Sequence, residues 1–380
     1  MTTEIAGTTA NVVGRPQTLH QKTFLRVPLA ACHATSDTIG TMPPLLSVVM
    51  AVHNGERFLI EAVDSVLRQS VTELELVVVD DGSTDATPDL LRDVAARDRR
   101  VVVARHDNRG RTASLNRGVG LSRAPLVARL DADDVCLAER FARQVAFLER
   151  HPSVALVGGA VRLIDAGGRE FEQSRYPQSD ADIRRAFAYT TPFVHSAVMF
   201  RRSAFDGAGG YRLCFAETED LDLWMRLAER HELSNLAEPV VAYRLHADQA
   251  TVRRLETQAL CLVAAHMSAR ARAAGDPDPL DGVAAIDERW LLEHGVTPRE
   301  IATAIVASAT WLAKLMGRAG YADQAEALLS DVEARVRSEP RPGALLAAVH
   351  RARAARRAAQ ARPLLARLER GRAFLAERRR

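Results

Sequence analysis

The chain has 380 residues, 47% of them hydrophobic and 26% charged, with a formal net charge of +3. That length and balance predict a soluble globular protein with a full core, either one large domain with appendages or two domains. Aromatic residues make up only 5%, which argues against a base-stacking platform, so no nucleic-acid partner is expected.

The charge is uneven. Residues 341–380 hold twelve Arg against two Glu, a charge of +10, which leaves −7 for all other residues. Basic character therefore belongs to the tail. The four cysteines, Cys32, Cys136, Cys214 and Cys261, are far apart in the chain and make no CxxC pair. They fit a reducing, cytoplasmic compartment and neither a disulfide framework nor a zinc site. No apolar run approaches the roughly 18 residues of a membrane-spanning helix, and the N-terminus lacks the apolar stretch of a signal peptide.

Residues 1–43 are rich in Thr and Ala without a period and read as a disordered extension. From there to residue 250 strands and helices alternate. Leu46–Val52 is a continuous apolar run, as in a buried parallel strand, and His53-Asn54-Gly55 turns it. Glu56–Gln69 has helical spacing. Leu74–Val79 is a second strand ending in Asp80-Asp81-Gly82-Ser83, with Thr84 or Asp85 capping a helix through Ala96. Val101–Ala104 is a third strand, Asn108-Arg109-Gly110 a break, and Thr112–Leu121 a helix. Pro125–Leu130 is the strand that leads into Asp131-Ala132-Asp133-Asp134, followed by a helix over Leu137–Arg150. This order predicts an α/β fold with a mainly parallel central sheet and helices on both faces. Ligands then bind beyond the carboxyl ends of the strands, where His53-Asn54, Asp80-Asp81 and Asp131–Asp133 should converge.

After Arg150 the rhythm changes. Val154–Leu163 and Ser196–Phe200 read as strands, Asp182–Phe187 as a short helix and Gly207–Gly210 as a flexible stretch. Leu221–Arg230 is helical and Val240–Leu245 is a last strand, ending at His246. Residues 251–338 form a helical region, with Thr297–Lys314 and Ala322–Val336 as a hairpin, and 339–380 a basic Arg/Ala-rich helical tail.

The acidic run carries the first chemistry. Strand alternation would place Asp131 and Asp133 on one face, with the small Ala132 between them. Two carboxylates so placed repel unless a cation sits between them, and oxygen ligands of this kind suit Mg²⁺ or Mn²⁺ bridging to a diphosphate. The plainer reading makes Asp134 the cap of the next helix and leaves the others as solvated loop acids.

Taken in order, Leu46–Val52 with His53-Asn54-Gly55, Val77–Asp81 with Gly82-Ser83-Thr84-Asp85, Asn108-Arg109-Gly110, Ala128–Asp134, and Glu219-Asp220 before Leu221-Asp222-Leu223-Trp224 resemble family 2 glycosyltransferases. The resemblance spans roughly residues 45 to 248. It implies a GT-A-type fold, a nucleotide-diphosphate sugar as donor, an inverting and metal-dependent mechanism, and a glycan, lipid-linked or small-molecule acceptor. By the same resemblance Asp81 meets the pyrimidine base, with Val52 and Asn54 near the nucleoside. Asp131 and Asp133 form the DxD pair for Mn²⁺ or Mg²⁺, with Asp133 the direct ligand and Asp131 reaching toward the ribose. Asp220 is the general base, its plainer role being an N-cap. Arg109 and Arg111 are candidates for the diphosphate, although Ser114-Leu115-Asn116 stand where the family often carries an Arg. His195 is a candidate for the acceptor side or a core histidine, and His246 a candidate for the phosphate or metal. The basic tail is compatible with peripheral contact with an anionic membrane. The competing readings are a sugar-phosphate nucleotidyltransferase, a processive polysaccharide synthase, against which the lack of a QxxRW-like motif speaks, and a non-catalytic nucleotide-sugar-binding module.

Overall fold

Seven residues without a turn former make β1 (Leu46–Val52), and the run is apolar throughout because both faces of the strand are covered. Val48, Met50 and Val52 join one buried cluster while Val49 joins another, so the sheet carries a core on each side. The computed structural model describes residues 43–188 and 190–356. The expected N-terminal extension up to residue 42 and tail residues 357–380 lie outside them.

β1 is followed by α1 (Leu59–Leu67), β2 (Leu74–Asp81), α2 (Thr87–Arg97), β3 (Val101–His106), α3 (Arg111–Leu121), β4 (Leu126–Arg129), β5 (Val135–Cys136) and α4 (Arg140–Arg150). Then come β6 (Val154–Ile164), β7 (Glu170–Ser174), α5 (Asp180–Ala186), a short 3₁₀ turn at His195–Ala197, β8 (Met199–Arg201), α6 (Arg202–Gly207), α7 (Glu219–Ala228) and β9 (Glu232–Arg244). The helical region is α8 (Ala250–Arg253), α9 (Leu255–Ala274), α10 (Glu288–Glu293), α11 (Pro298–Ala319) and α12 (Ala322–Arg337).

Among the described residues the strands form one sheet in the order β3-β2-β1-β4-β8-β6-β9-β5, with β7 on β6. The four strands β3, β2, β1 and β4 are parallel, and so are β6 and β9. β8 enters antiparallel between the two blocks. Leu59, Leu91 and Phe141 place α1, α2 and α4 on one face, and Leu115, Phe205 and Trp224 place α3, α6 and α7 on the other. Helices on both faces of a mostly parallel sheet are what the alternation predicts. Gly118 is required where α3 crosses the sheet: a β-carbon there would stand 2.5 Å from a methyl of Val49.

Several boundaries differ from the sequence reading. α1 starts at Leu59, because Glu56 is spent on the facing loop, where its carboxylate accepts the Ala86 N–H. α2 begins at Thr87 with Ala86 at its N-cap, while Asp85 accepts the Thr87 N–H from just outside the helix. Asp134 caps nothing: α4 begins at Arg140 behind Glu139, whose φ of 61° breaks the chain there. Ser196 lies in the 3₁₀ turn rather than on a strand, and residues 202–207 form α6 before the glycines Gly209 and Gly210 at positive φ. β7 and the first half of β9, from Glu232, are polar enough to escape an apolar search.

α11 and α12 form the expected hairpin, started by a capping box between Thr297 and Glu300 and turned at Gly320, φ 96°. Residues 343–356 are helical and pack back on α12. There Arg353 and Arg356 pair with Glu326 and Arg353 also with Glu333, so these tail arginines are neutralised within the fold. Among the described residues no helix is long and apolar enough to cross a membrane.

Candidate active site

A cleft of about 710 Å³ opens beyond the carboxyl ends of β1, β2 and β4. Val52, Asn54, Asp81, Asp131, Asp133 and His246 all line it, brought together from four separate stretches of chain. Arg109 and Asp220 are not among the lining residues.

The β1 and β2 ends are tied together by side chains. The Asn54 carboxamide oxygen accepts the Thr84 N–H at 2.8 Å, and the Asn54 N–H donates to Ser83 Oγ at 2.9 Å. Asn54 itself sits at φ 53°, a conformation that Asn tolerates. The two acids at the end of β2 divide their work. Asp80 accepts the Ser83 N–H at 2.9 Å and makes the turn. Asp81 accepts the N–H groups of Arg109 at 2.8 Å and Gly110 at 3.0 Å and faces the cleft. Gly82 lets the two loops close, since a β-carbon there would lie 2.6 Å from the Asn108 nitrogen. Arg109 contributes this backbone donor, and its side chain is exposed.

The acidic run is not a strand. β4 ends at Arg129, and Asp131-Ala132-Asp133 forms a turn, so the two carboxylates share the cleft through loop geometry rather than strand alternation. The turn is fixed from below. Arg129, 2% exposed, donates from Nη2 to Asp131 Oδ1 at 2.5 Å. Ser196 Oγ donates to Asp131 Oδ2 at 2.7 Å and accepts the Asp131 N–H at 2.9 Å. Burial would raise the Asp131 pKa, but the Arg129 and Arg111 charges and the Ser196 hydrogen bond outweigh it and hold the carboxyl below its ordinary range. Arg244 holds the far end, donating its N–H to Asp134 at 2.7 Å and its Nε–H to the Asp133 carbonyl at 2.8 Å. Asp134 is buried beside Asp133 and Asp131, and burial together with those charges pushes its pKa well up.

Asp133 keeps its carboxylate toward the cleft. Its Oδ2 lies 3.0 Å from His246 Nε2, and the Asp133 side chain is 31% exposed. The His246 ring packs against Phe58 at 5.1 Å between centroids. Its Nδ1 is buried without a hydrogen-bond partner. An oxygen and a nitrogen donor side by side at the cleft fit a divalent cation of the Mn²⁺ kind. Among the described residues no three His, Cys, Asp or Glu groups make a metal cage by themselves.

Glu217 lines the cleft just before α7, and the candidate base lies at the start of that helix. Thr218 sits at φ 64°, strained for a β-branched residue, and starts the helix so that Glu219 and Asp220 occupy its first turn. Asp220 is therefore inside the helix and not its N-cap. Arg111, at the start of α3, donates from Nη2 to Glu217 at 2.7 Å and from Nε to Glu219 at 3.0 Å, so it serves these acids. Asp220 has no cation of its own, and its Oδ1 accepts the Leu221 N–H at 2.8 Å. Burial first, and the neighbouring Glu219 charge second, push its pKa up to about 7.

Sequence reasoning missed Ser196, Arg244 and the pairing of Arg111. Arg129 offered a signal, a charge at the end of an apolar strand. A buried Arg needs a buried anion, and Asp131 is two residues away.

Known glycosyltransferases resemble this chain in sequence. The family description of glycosyl transferase family 2 matches residues 47–208. The putative glycosyltransferase EpsE of Bacillus subtilis (strain 168) is 35% identical over 190 residues, 49% of this chain and 67% of that protein. The amylovoran biosynthesis glycosyltransferase AmsE of Erwinia amylovora is 33% identical over 217 residues, 55% of this chain and 80% of that protein. The α/β fold, the cleft and these relatives define a glycosyltransferase. The chain belongs to glycosyl transferase family 2. Asp220 and His246 lie beyond the matched residues 47–208. Among solved structures, the mannosyltransferase PcManGT from Pyrobaculum calidifontis in complex with GDP-Man and Mn²⁺ aligns with a TM-score of 0.47 at 20% identity, over 83% of this chain and 81% of that one.

Proposed function

We propose that the enzyme moves a sugar from a nucleotide-diphosphate donor to an acceptor hydroxyl by metal-assisted single displacement, inverting the anomeric centre. The observation that carries this reading is the convergence of Asp81, Asp131, Asp133 and His246 in one cleft, and Asp220 in the first turn of α7 is a carboxylate whose pKa is pushed up. Val52, Asn54 and Asp81 would hold the nucleoside. Asp133 and His246 would hold Mn²⁺ or Mg²⁺, and Asp131, with both oxygens engaged, would orient the turn and face the ribose. The cation, once bound with the donor, neutralises the leaving diphosphate. Asp220 takes the proton from the acceptor hydroxyl. Retention would need a second, nucleophilic carboxylate near the reacting carbon. Glu217 and Glu219 are tied to Arg111 and are poor candidates.

The acceptor is best sought among glycans and lipid-linked saccharides. Two relatives are named for amylovoran biosynthesis and, in Escherichia coli, O-antigen biosynthesis. A cytoplasmic setting suits the free, buried thiols of Cys136, Cys214 and Cys261. A nucleotidyltransferase would want a Gly-rich phosphate loop after β1, and His53-Asn54-Gly55-Glu56 is not one.

A thermal-shift screen of UDP- and GDP-sugars with and without Mn²⁺ tests the donor reading. A matching donor at 100 times its dissociation constant should stabilise the protein by about 2.7 kcal/mol, and only with the cation. A flat response to every nucleotide sugar and to UDP and GDP would remove the donor site.

A further inference from the structure

His195 stands in the 3₁₀ turn, next to the Ser196 that holds Asp131. Its ring, 10% exposed, packs edge-on against Tyr211 and Trp224. Nε2 lies 2.8 Å from the Tyr211 hydroxyl. Nδ1 faces two carboxylates, Glu219 at 3.7 Å and Asp220 at 3.8 Å. We propose that His195 is a positioning residue for the base: the Tyr211 hydroxyl donates to Nε2, the ring hydrogen is thereby fixed on Nδ1, and that N–H orients and favours the ionised form of Asp220. This rests on Asp220 being the base.

The surroundings decide the tautomer. Two carboxylates on the Nδ1 side favour a hydrogen there, which leaves Nε2 as acceptor and Tyr211 as donor. Burial, then the Arg129 and Arg111 charges, keep the imidazole pKa well below its ordinary value, so His195 acts as a neutral dipole. The groups that act on Asp220 are Glu219 beside it, Arg111 from α3, Asp131 from the β4 turn, and His195. Arg111 is consumed by Glu219 and Glu217, while Asp220 accepts the Leu221 N–H and has His195 Nδ1 at 3.8 Å. Tyr211 is itself held on both sides of its peptide. Asn116 Nδ2 donates to its carbonyl at 2.7 Å, and its N–H donates to Asn116 Oδ1 at 3.0 Å. Asn116 lies on α3, so that helix fixes the position of Tyr211.

Two substitutions at His195 separate dipole from packing. His195→Phe keeps the ring and removes the N–H. His195→Asn places an amide N–H near the Nδ1 position. The full chain, labelled with ¹³C at Asp carboxyls, is titrated by NMR, and the Asp220 signal is assigned by its loss in Asp220→Asn. In His195→Phe the Asp220 midpoint should rise by about one unit, a tenfold smaller ionised fraction below it. In His195→Asn it should stay within a few tenths of the wild-type value, and Tyr211→Phe should raise it by a smaller step. A midpoint unchanged in folded His195→Phe overturns the proposal. If that variant does not fold, an unchanged midpoint in Tyr211→Phe does so. Failure of the base reading shows separately, as normal donor turnover by Asp220→Asn.

Discussion

Asp220→Asn should bind donor and Mn²⁺ as the wild type does and turn over roughly 10²–10⁴-fold more slowly, the usual worth of a positioned base. Asn keeps the shape and the contact with the Leu221 N–H region but accepts no proton. The neighbouring acids cannot stand in. Glu219 is fully buried against Arg111, and Asp222 is fully buried against Arg212 and Arg226. Because burial and Glu219 push Asp220 up to about 7, the free enzyme gains its active, ionised form as pH rises through that value. Wild-type kcat/KM should therefore climb tenfold per unit below pH 7 and level off above it, and the variant should lose this limb. Stability runs the other way. A carboxyl whose folded pKa is raised above 3.8 stabilises the fold while protonated, and that contribution is lost as pH rises through about 7. Asp220→Asn, never charged, should gain on the wild type in denaturation above pH 7. Equal turnover of the two proteins in a coupled nucleoside-diphosphate release assay would sink the assignment.

Asp133→Ala should remove Mn²⁺-dependent binding of the nucleoside diphosphate, by more than the roughly 10–100-fold typical of losing an outer partner of a metal ligand. The fold should survive, because the Asp133 side chain is 31% exposed and its backbone carbonyl, not the carboxylate, receives Arg244. His246→Ala should weaken the same binding and leave cation-independent nucleotide binding intact. Asp131→Ala should differ in kind. It strands the buried Arg129 charge, and breaking such a pair costs about 3–5 kcal/mol. Calorimetry with UDP and GDP, with and without Mn²⁺, reads the first effect and urea denaturation the second. Mn²⁺-dependent binding that persists in both Asp133→Ala and His246→Ala would move the cation elsewhere.

The parallel half of the sheet was plain in the sequence because β1, β2 and β4 are buried on both faces and read as unbroken apolar runs. β7 and the start of β9 were not, since Glu170–Ser174 and Glu232–Asn235 carry polar residues along a half-exposed pairing. Asp81, Asp133 and His246 were singled out through the ordered resemblance to family 2 glycosyltransferases, each standing at or just past the end of an apolar run. The Asp133–His246 contact joins residues 113 apart in the chain, and no local spacing encodes it. The wrong cap for α4 has a clear cause. Asp134 looks like an N-cap, but it is drawn inward by the Arg244 N–H, and the helix waits for Glu139 to turn the chain. The supports beneath the turn, Arg129, Ser196 and Arg244, come from β4, the 3₁₀ turn and β9, and only the antiparallel insertion of β8 brings them together.

The most direct measurement is the anomeric configuration of the first product, read by ¹H NMR before mutarotation. It does not require the natural acceptor, since slow donor hydrolysis by water passes through the same displacement. Single displacement predicts that an α-linked nucleotide sugar gives the β-configured product first. An α-configured first product would contradict single displacement, and with it the role of Asp220 as the base that drives it.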